Sequence, residues 1–244
     1  MIRLLSGVLA ADGAEQMAID EALLDVATEP TLRLYRWQPA TVSLGYFQDC
    51  ARIRAALPAS MPLVRRITGG GAIWHDHEIT YALVGTLGQN GLPERTREIY
   101  PLLHGAVLAA LRSRGAALRI SDRQHGDRRY HSDPRCFASP SPHDLLAAAG
   151  AKVLGSAART RGQRVLVHGS LKLKSNPWDG PTVAGCGLDP EAAAESLRTG
   201  LCNALGVTPA PGVLTAAERT RADELRAARY GGPDWVEHRR GPPA

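Results

Sequence analysis

A glycine triplet is the part of this sequence best suited to bind a ligand through its backbone. Gly69, Gly70 and Gly71 follow Arg65 and Arg66 and lie between two apolar runs. Because glycine has no Cβ, its backbone can approach a ligand very closely. N–H groups exposed beside two guanidinium groups would suit a carboxylate, a phosphate or an acyl oxygen. A Gly-rich hairpin turn with solvated arginines is the alternative that a bare triplet favours, and the spacing matches no nucleotide-binding fingerprint.

Lysine is rare in this chain, which makes each lysine informative. Lys152, Lys172 and Lys174 are the only lysines among 29 basic residues, so 29 − 3 = 26 are arginine. A lysine kept in such a chain indicates a need for a compact ammonium group. Lys152 stands just before Gly-Ser-Ala, and this setting favours a functional role. Lys172 and Lys174 alternate along a predicted strand, so we expect both on its outward face.

Composition limits the possible classes of protein. The chain has 244 residues, 44% of them hydrophobic, which fits one large domain or a domain with a small appendage. Its net charge of +5 favours an acidic protein or anionic ligand as partner. Nucleic acid is not predicted, because no zinc-finger spacing, aromatic stripe or long basic block occurs. The four cysteines show no metal-ligand spacing, and no signal peptide or membrane-length apolar run is present. We therefore expect no membrane association and a cytoplasmic protein with reduced thiols.

The hydrophobic pattern predicts an α+β fold. Helical periodicity predicts helices at 14–26, 49–57, 97–114, 191–205 and 215–228. Alternation predicts strands at 31–37, 41–47, 118–121, 144–149, 152–158 and 164–174, with two more beside the glycine triplet. A mobile loop is expected at 124–134 and a frayed tail at 241–244. We interpret Cys50, Cys186 and Cys202 as structural, and His104, His125 and His131 as surface residues.

Five motifs occur in an order that resembles a known family. They are Met-Ala-Ile-Asp-Glu-Ala-Leu-Leu at 17–24, Leu-Tyr-Arg-Trp at 34–37, Ser-Leu-Gly-Tyr-Phe-Gln at 43–48, Arg-Arg-x-Thr-Gly-Gly-Gly-Ala-x-x-His-Asp at 65–76 and Lys-Val-Leu-Gly-Ser-Ala at 152–157. This order resembles the lipoate–protein ligase and octanoyltransferase family, which shares its catalytic domain with biotin protein ligases. The resemblance covers roughly residues 1–240. It implies one catalytic domain at 1–244, a mixed β-sheet flanked by helices, and a short helical C-terminal segment at about 190–240.

The resemblance also implies a site. Lys152 matches the family lysine that reaches the acyl carbonyl or an adenylate phosphate, where a cation stabilises a developing oxyanion. His75 and Asp76 are expected at the rim of the acyl pocket, and no metal site is expected. The full set of implied substrate-binding residues is Arg66, Thr68, Gly69, Gly70, Gly71, His75, Asp76, Gly155, Ser156, Ala157, His168 and Gly169.

The family contains two chemistries, and Cys136 bears on the choice. Ligases use ATP and Mg²⁺ to activate lipoate, whereas octanoyltransferases take octanoate from acyl carrier protein through a cysteine thioester and need no cofactor. Cys136 lies in a Cys-Phe-x-x-Pro-Ser sequence that resembles the cysteine loop of ligase-like octanoyltransferases. A thiolate there could be activated by Lys152, Arg135 and His168, although an inert buried thiol is an equal alternative.

We favour the transferase, also because the segment after residue 190 is too short for the extra C-terminal domain of many bacterial ligases. The implied acceptor is a lipoyl-domain protein, either the glycine cleavage H protein or a 2-oxoacid dehydrogenase E2. An ATP-dependent lipoate ligase is the close alternative. A non-catalytic acyl-protein-binding homologue is disfavoured because Lys152 persists, and the motif order is closer to lipoate than to biotin ligases.

Overall fold

The computed structural model describes residues 1–124 and 133–240. Most of the loop predicted at 124–134, together with His125, His131 and the tail at 241–244, lies outside the described residues. Within them, no helix is long and apolar enough to cross a membrane.

Eleven strands form two sheets within the described residues. Their bounds are β1 Ile2–Ala11, β2 Thr31–Trp37, β3 Thr41–Leu44, β4 Leu63–Arg65, β5 Ile73–His75, β6 Glu78–Thr86, β7 Leu118–Ile120, β8 Leu145–Ala147, β9 Lys152–Arg161, β10 Arg164–Lys172 and β11 Pro209–Gly212. The large sheet has the order β11-β1-β2-β6-β10-β9-β8-β7, and the small sheet has the order β4-β3-β5. Parallel pairs occur at β11-β1, β1-β2 and β3-β4, and the other pairs are antiparallel. The large sheet is therefore mixed, as the sequence predicted.

Six α-helices accompany the sheets in the part of the chain that the structure describes. They are α1 Gly13–Val26, α2 Cys50–Arg54, α3 Ile99–Arg112, α4 Pro190–Leu205, α5 Ala216–Leu225 and α6 Pro233–His238. Local sequence explains several boundaries. Asp189 caps the N-terminus of α4, which ends at Gly206 in the left-handed region with φ 62°. Thr215 and Glu218 form the predicted capping box of α5.

The large sheet separates two apolar cores. Leu32, Tyr81 and Leu83 pack with α3 and α4 in one cluster. Ala82 and Val84, which alternate with them along β6, belong to the cluster that contains α1 and α5. Side chains of a strand point alternately to its two faces, so β6 contributes to both cores. This arrangement confirms the predicted mixed sheet flanked by helices.

The glycine triplet does not form the simple hairpin that a bare triplet favoured. Strands β4 and β5, on either side of the triplet, do not pair with each other but flank β3 on opposite sides. The segment between them therefore passes over the end of β3 and faces the large sheet. The strand predicted at 41–47 accordingly ends at Leu44, where the chain turns beneath Gly70.

Candidate active site

A cavity between the two sheets collects most of the predicted site. Its lining includes Lys152, Cys136, Arg66, Gly70, His75, Gly155, Ser156, Ala157, His168 and Gly169. Four predicted residues do not line it, namely Thr68, Gly69, Gly71 and Asp76. Asp76 instead faces a separate surface cleft on the other side of His75. Distant motifs thus meet because the small sheet covers the middle of the large one.

Lys152 is a buried cation of this cavity. Its Nζ lies 2.8 Å from Asp144 Oδ2, 3.3 Å from the carbonyl oxygen of Cys136 and 3.8 Å from Cys136 Sγ. The ammonium also lies 4.9 Å from the centre of the Phe137 ring. Only 2% of Lys152 is exposed, so its charge is compensated inside the protein rather than by water. The site therefore places a cation between a carboxylate and a thiol.

Gly155 explains the spacing of the Lys-x-x-Gly motif. A Cβ at this position would lie 2.4 Å from Lys152 Cε and 2.6 Å from Nζ. Such distances are far below van der Waals contact, so any side chain here would displace the ammonium. The glycine makes room for Lys152 to fold back along its own strand, β9.

Cys136 is held against the glycine segment by backbone pairing. Cys136 N donates to Ala72 O and Ala72 N donates to Pro134 O, both at 2.8 Å. Gln48 adds a bridge, because its Nε2 donates to Pro134 O while its Oε1 accepts from Gly45 N. The half-buried Arg135 does not act as predicted, since its guanidinium binds Asp133 and the carbonyl of Trp178.

Arg66 braces the glycine segment rather than projecting alone into the cavity. Its guanidinium donates to the carbonyls of Gly69 and Gly71 at 2.9 and 2.8 Å, and to Ser43 Oγ at 3.0 Å. Gly70 has φ 98°, which a residue with a side chain rarely adopts. Arg65, predicted beside the ligand, is instead buried and donates to carbonyls such as those of Gly45 and Val236. Its burial lowers its pKa from the ordinary value.

A buried polar network forms the wall around His75. Nε2 of His75 contacts Ser43 Oγ at 2.7 Å, and Nδ1 contacts Glu78 Oε1 at 2.6 Å. The ring stacks on Trp37 with the centroids 3.8 Å apart. Burial lowers the pKa of His75 to about 4, so the imidazole is neutral at pH 7. We assign Nδ1 as the donor to Glu78 and Nε2 as the acceptor from Ser43.

Lys172 belongs to the same wall, and the prediction that it points outward is wrong. Its side chain is fully buried, 2.9 Å from Glu78 Oε2 and 3.4 Å from Asp179 Oδ2. Register explains the pairing, because Lys172 lies directly opposite Glu78 in the β10-β6 ladder. Burial alone would lower the pKa of Lys172, but Glu78 and Asp179 raise it above its ordinary value. Lys174, just beyond β10, is exposed as predicted.

His168 lines the cavity, but its ring nitrogens contact residues other than Cys136, contrary to the prediction. Its Nε2 lies 2.7 Å from Thr68 Oγ1, and its Nδ1 lies 3.0 Å from Asp20 Oδ2. Asp20 also accepts from Tyr35 and Arg33. The Met17–Leu24 motif on α1 thus supplies the carboxylate that orients His168.

His104 was predicted on the surface, and this prediction is wrong. Only 1% of it is exposed, and its Nε2 lies 2.8 Å from Oγ of Ser156. Its other nitrogen, Nδ1, lies 2.7 Å from the carbonyl oxygen of His143. His104 lies in the apolar stripe of α3, which faces the core. Its position in that stripe was the sequence signal that could have indicated its burial.

Asp144, Gln48 and Ser43 are the main residues that the sequence did not identify. Asp144 looked like the first residue of a strand, yet it is the carboxylate partner of Lys152 and also accepts from Ser141 N at 2.6 Å. Gln48 and Ser43 lay inside a recognised motif without an assigned role. Among the described residues no group of three or more His, Cys, Asp and Glu could hold a metal ion.

Comparisons with known proteins show which family this chain resembles. The model of the lipoyl protein ligase A/B catalytic domain matches residues 12–185. Octanoyltransferase LipM of Moorella thermoacetica is 35% identical over 93% of this chain and 95% of its own. The LipM of Symbiobacterium thermophilum is 32% identical over 91% of this chain and 93% of its own.

Solved structures of low sequence identity share the fold. A lipoate protein ligase structure from T. acidophilum with bound lipoic acid has a TM-score of 0.79 at 22% identity, covering 96% of this chain and 98% of that one. A lipoate-protein ligase A bound with ATP has a TM-score of 0.78 at 22% identity, with the same coverage. A bipartite ligase described with its E2 lipoyl domain, also from Thermoplasma acidophilum, has a TM-score of 0.75 at 21% identity, covering 96% of this chain and 95% of that one.

Proposed function

Because this chain belongs to the lipoyl protein ligase A/B catalytic domain family, we propose that it is an octanoyltransferase that acts through Cys136. It takes an octanoyl group from octanoyl carrier protein and passes it to a lysine of a lipoyl-domain protein. The supporting relatives are the octanoyltransferases that match it along nearly their whole length. Such a transfer needs no cofactor, whereas ligation of free lipoate would need ATP and Mg²⁺.

The observation that carries the proposal is the contact between Lys152 and Cys136. An ammonium 3.8 Å from Sγ stabilises negative charge on that sulfur, and a thiolate is a much stronger nucleophile than a thiol. Asp144, 2.8 Å from the same ammonium, holds it in place. The three groups have the roles expected of a nucleophile, a cationic activator and an orienting carboxylate.

The reaction consists of two acyl transfers. In the first, the Cys136 thiolate attacks the carbonyl carbon of the carrier thioester, a C–S bond forms, and the carrier thiolate leaves. Lys152 stabilises the oxyanion that develops on the carbonyl oxygen. In the second, the acceptor lysine attacks the octanoyl-Cys136 thioester and forms an amide. Met17 and Ile73, which line the cavity, supply apolar surface for the acyl chain.

The acceptor that we propose is the lipoyl domain of a 2-oxoacid dehydrogenase E2 or the glycine cleavage H protein. The acyl donor is acyl carrier protein. Both assignments rest on the family and on the chain's net charge of +5, which favours an acidic partner.

Intact-mass measurement tests the proposal. After incubation with octanoyl carrier protein, the enzyme should carry one octanoyl group that hydroxylamine removes. Cys136→Ala should lose this adduct, while Cys202→Ala, which alters another buried thiol in α4, should retain it. A Cys136→Ala protein that still acylates the acceptor with lipoate and ATP, releasing pyrophosphate, would identify a ligase instead.

A further inference from the structure

A row of three residues crosses the sheet beside the cavity. Tyr81 on β6 and Ser156 on β9 each lie opposite Gly169 on the strand between them, β10. A Cβ on Gly169 would lie 2.2 Å from Ser156 Oγ and 2.7 Å from Tyr81 Cε1. The glycine therefore leaves a gap in the middle strand, and through it Tyr81 Oη reaches Ser156 Oγ at 2.7 Å.

The hydrogen-bond partners of His104, Ser156 and Tyr81 determine which atom carries each proton. The carbonyl oxygen of His143 can only accept, so Nδ1 of His104, 2.7 Å away, carries a proton. Burial lowers the pKa of His104, so the ring is neutral at pH 7 and its Nε2 is an acceptor. Ser156 must then donate its own proton to Nε2, at 2.8 Å. Burial also raises the pKa of Tyr81, so its phenol keeps its proton and donates to Ser156.

With the protons assigned in this way, Ser156 can accept one further hydrogen bond and has no proton left to donate. A serine hydroxyl has one proton and two lone pairs. The proton goes to His104 and one lone pair accepts from Tyr81, so the second lone pair remains for the cavity that Ser156 lines with Lys152 and Cys136. A hydrogen-bond acceptor whose own proton is bound by a neutral imidazole suits a substrate group that has an N–H proton to lose.

We propose that Ser156 and His104 form a proton relay that deprotonates the acceptor lysine as it attacks the octanoyl thioester, an inference that rests on the proposed function. The amine nitrogen forms a bond to the octanoyl carbonyl carbon. The C–S bond to Cys136 breaks, and its electron pair leaves with Sγ. The nitrogen's proton passes to Ser156 Oγ while the Ser156 proton passes to His104 Nε2. The imidazolium then releases its proton to water, and Cys136 is left as the thiolate that begins the next cycle.

Ser156 touches the substrate in this scheme, whereas His104 and Tyr81 act through Ser156 as positioning residues. The groups that contact or act on His104 come from several elements: Tyr100 on its own helix, His143 and Asp144 before β8, and Ser156 and Lys152 on β9. Burial has the largest effect on the His104 pKa. Asp144 and the hydrogen bond to the His143 carbonyl oppose it, while the charges of Lys152 and His143 add to it. The relay therefore stays neutral, and able to accept a proton, to a pH below the ordinary histidine value of 6.5.

The test separates the two acyl transfers in the full-length protein. His104→Gln keeps an amide that can accept from Ser156 but cannot take its proton. Octanoyl-enzyme is prepared from each variant, and its single-turnover transfer to a lipoyl domain is followed by mass. We expect transfer by His104→Gln to fall about 10²-fold, the usual effect of losing a general base. Formation of the thioester should fall far less. The wild-type to variant ratio should decline as pH drops through the His104 pKa, because protonation disables the base.

His238→Gln is the matched control, since it makes the same change at an exposed position of α6 and should alter neither step. Ser156→Ala is a smaller second change that should slow the same step if His104→Gln folds poorly. Transfer at the wild-type rate, or an equal fall in both steps with a pH-independent ratio, would overturn the relay. Neither result would affect the Cys136 thioester, whose absence in the wild type would overturn the proposed function and the relay with it.

Discussion

Lys152 shows how much of the chemistry depends on a single side chain. Its ammonium is buried and lies between Asp144 and Cys136. A guanidinium keeps the charge but is planar and bulkier, and a rigid fork cannot satisfy the same compact geometry. The space left by Gly155 is shaped for the narrower lysine.

Lys152→Arg should therefore lose most acyl transfer, on the order of 10²-fold or more in kcat, as when an oxyanion donor is removed. Steady-state rates with octanoyl carrier protein measure this. Lys174→Arg, the same change at an exposed position, is the control and should match the wild type. Turnover near the wild-type rate in Lys152→Arg would remove Lys152 from the mechanism.

We expect Lys172 to contribute to the stability of the fold rather than to catalysis. Lys172→Met would leave the carboxylates of Glu78 and Asp179 buried without their cation. We expect a loss of about 3–5 kcal/mol in the free energy of unfolding, as for other buried pairs broken on one side. Urea denaturation measures it, with Lys174→Met as the control. An unchanged midpoint would mean that water or another cation compensates the two acids.

At the scale of elements, the turn after β3 and the glycine segment must pass very close to each other. A Cβ on Gly45 would lie 1.9 Å from Gly70 O, whereas a Cβ on Gly69 would have no neighbour within 4 Å. Close approach, rather than a positive φ, is thus what requires glycine at position 45. This contact holds the β3 turn, and with it Gln48, against the Cys136 turn.

Gly45→Ala and Gly69→Ala form a matched pair that tests this contact. The first should destabilise the protein by about 1–3 kcal/mol, the usual cost of overpacking. For a chain of this size each kcal/mol lowers Tm by about 2–4 °C. Gly69→Ala should leave Tm nearly unchanged. Equal Tm values for the two variants would show that the turn can shift without cost.

The buried polar network around His75 should make the stability of the protein depend on pH. The folded-state pKa of His75 is about 4, below its ordinary value of 6.5. Between these values the unfolded chain binds a proton that the native chain does not, so the free energy of unfolding falls as pH falls. Glu78 acts in the same direction at lower pH. Burial would raise the pKa of Glu78, but Lys172 and His75 hold it below its ordinary value.

His75→Gln should be less stable at neutral pH but should show a shallower decline between pH 6.5 and 4. Urea denaturation across that range gives the slope, and His238→Gln should keep the wild-type slope. A variant slope equal to that of the wild type would show that His75 is not the group responsible.

At the scale of the whole molecule, charge and exposed aromatic surface indicate how partners approach. The chain carries a net charge of +5, and Phe47, in the motif beside the glycine segment, is 75% exposed. Arg159 and Arg239 lie over the neighbouring Tyr46 ring, 5.6 and 6.0 Å from its centre. An acidic carrier or lipoyl domain would be attracted to such a surface.

We therefore expect kcat/KM for the protein acceptor to fall as ionic strength rises from about 0.01 to 0.15 M, where the Debye length shortens from about 30 to 8 Å. Initial rates at several salt concentrations measure this, with transfer of the octanoyl group from octanoyl-enzyme to hydroxylamine as a neutral-substrate reference. A flat response would exclude electrostatic steering.

The sequence alone determined most of the elements and several of the central residues. Alternation placed β2 at its observed bounds, and Thr215 with Glu218 placed the start of α5. The scarcity of lysine singled out Lys152. Strands β1 and β11 were not predicted. The two prolines of β11 are typical of a loop, although proline is tolerated in a strand at the edge of a sheet. The single-domain organisation at 1–244 and the roles of the site residues stay predictions.

Which polar groups are buried, and what they contact, depends on the tertiary structure. Lys172 and Lys174 share one strand pattern, yet Lys172 is buried opposite Glu78 because the small sheet and the Phe137 turn cover that end of β10. His104 and Asp144 gained partners from β9 in the same way. Periodicity is a local property, and it sets helices, strands and their two faces. Strand register and the covering of a face arise from residues far apart in the chain, so no local pattern could show them.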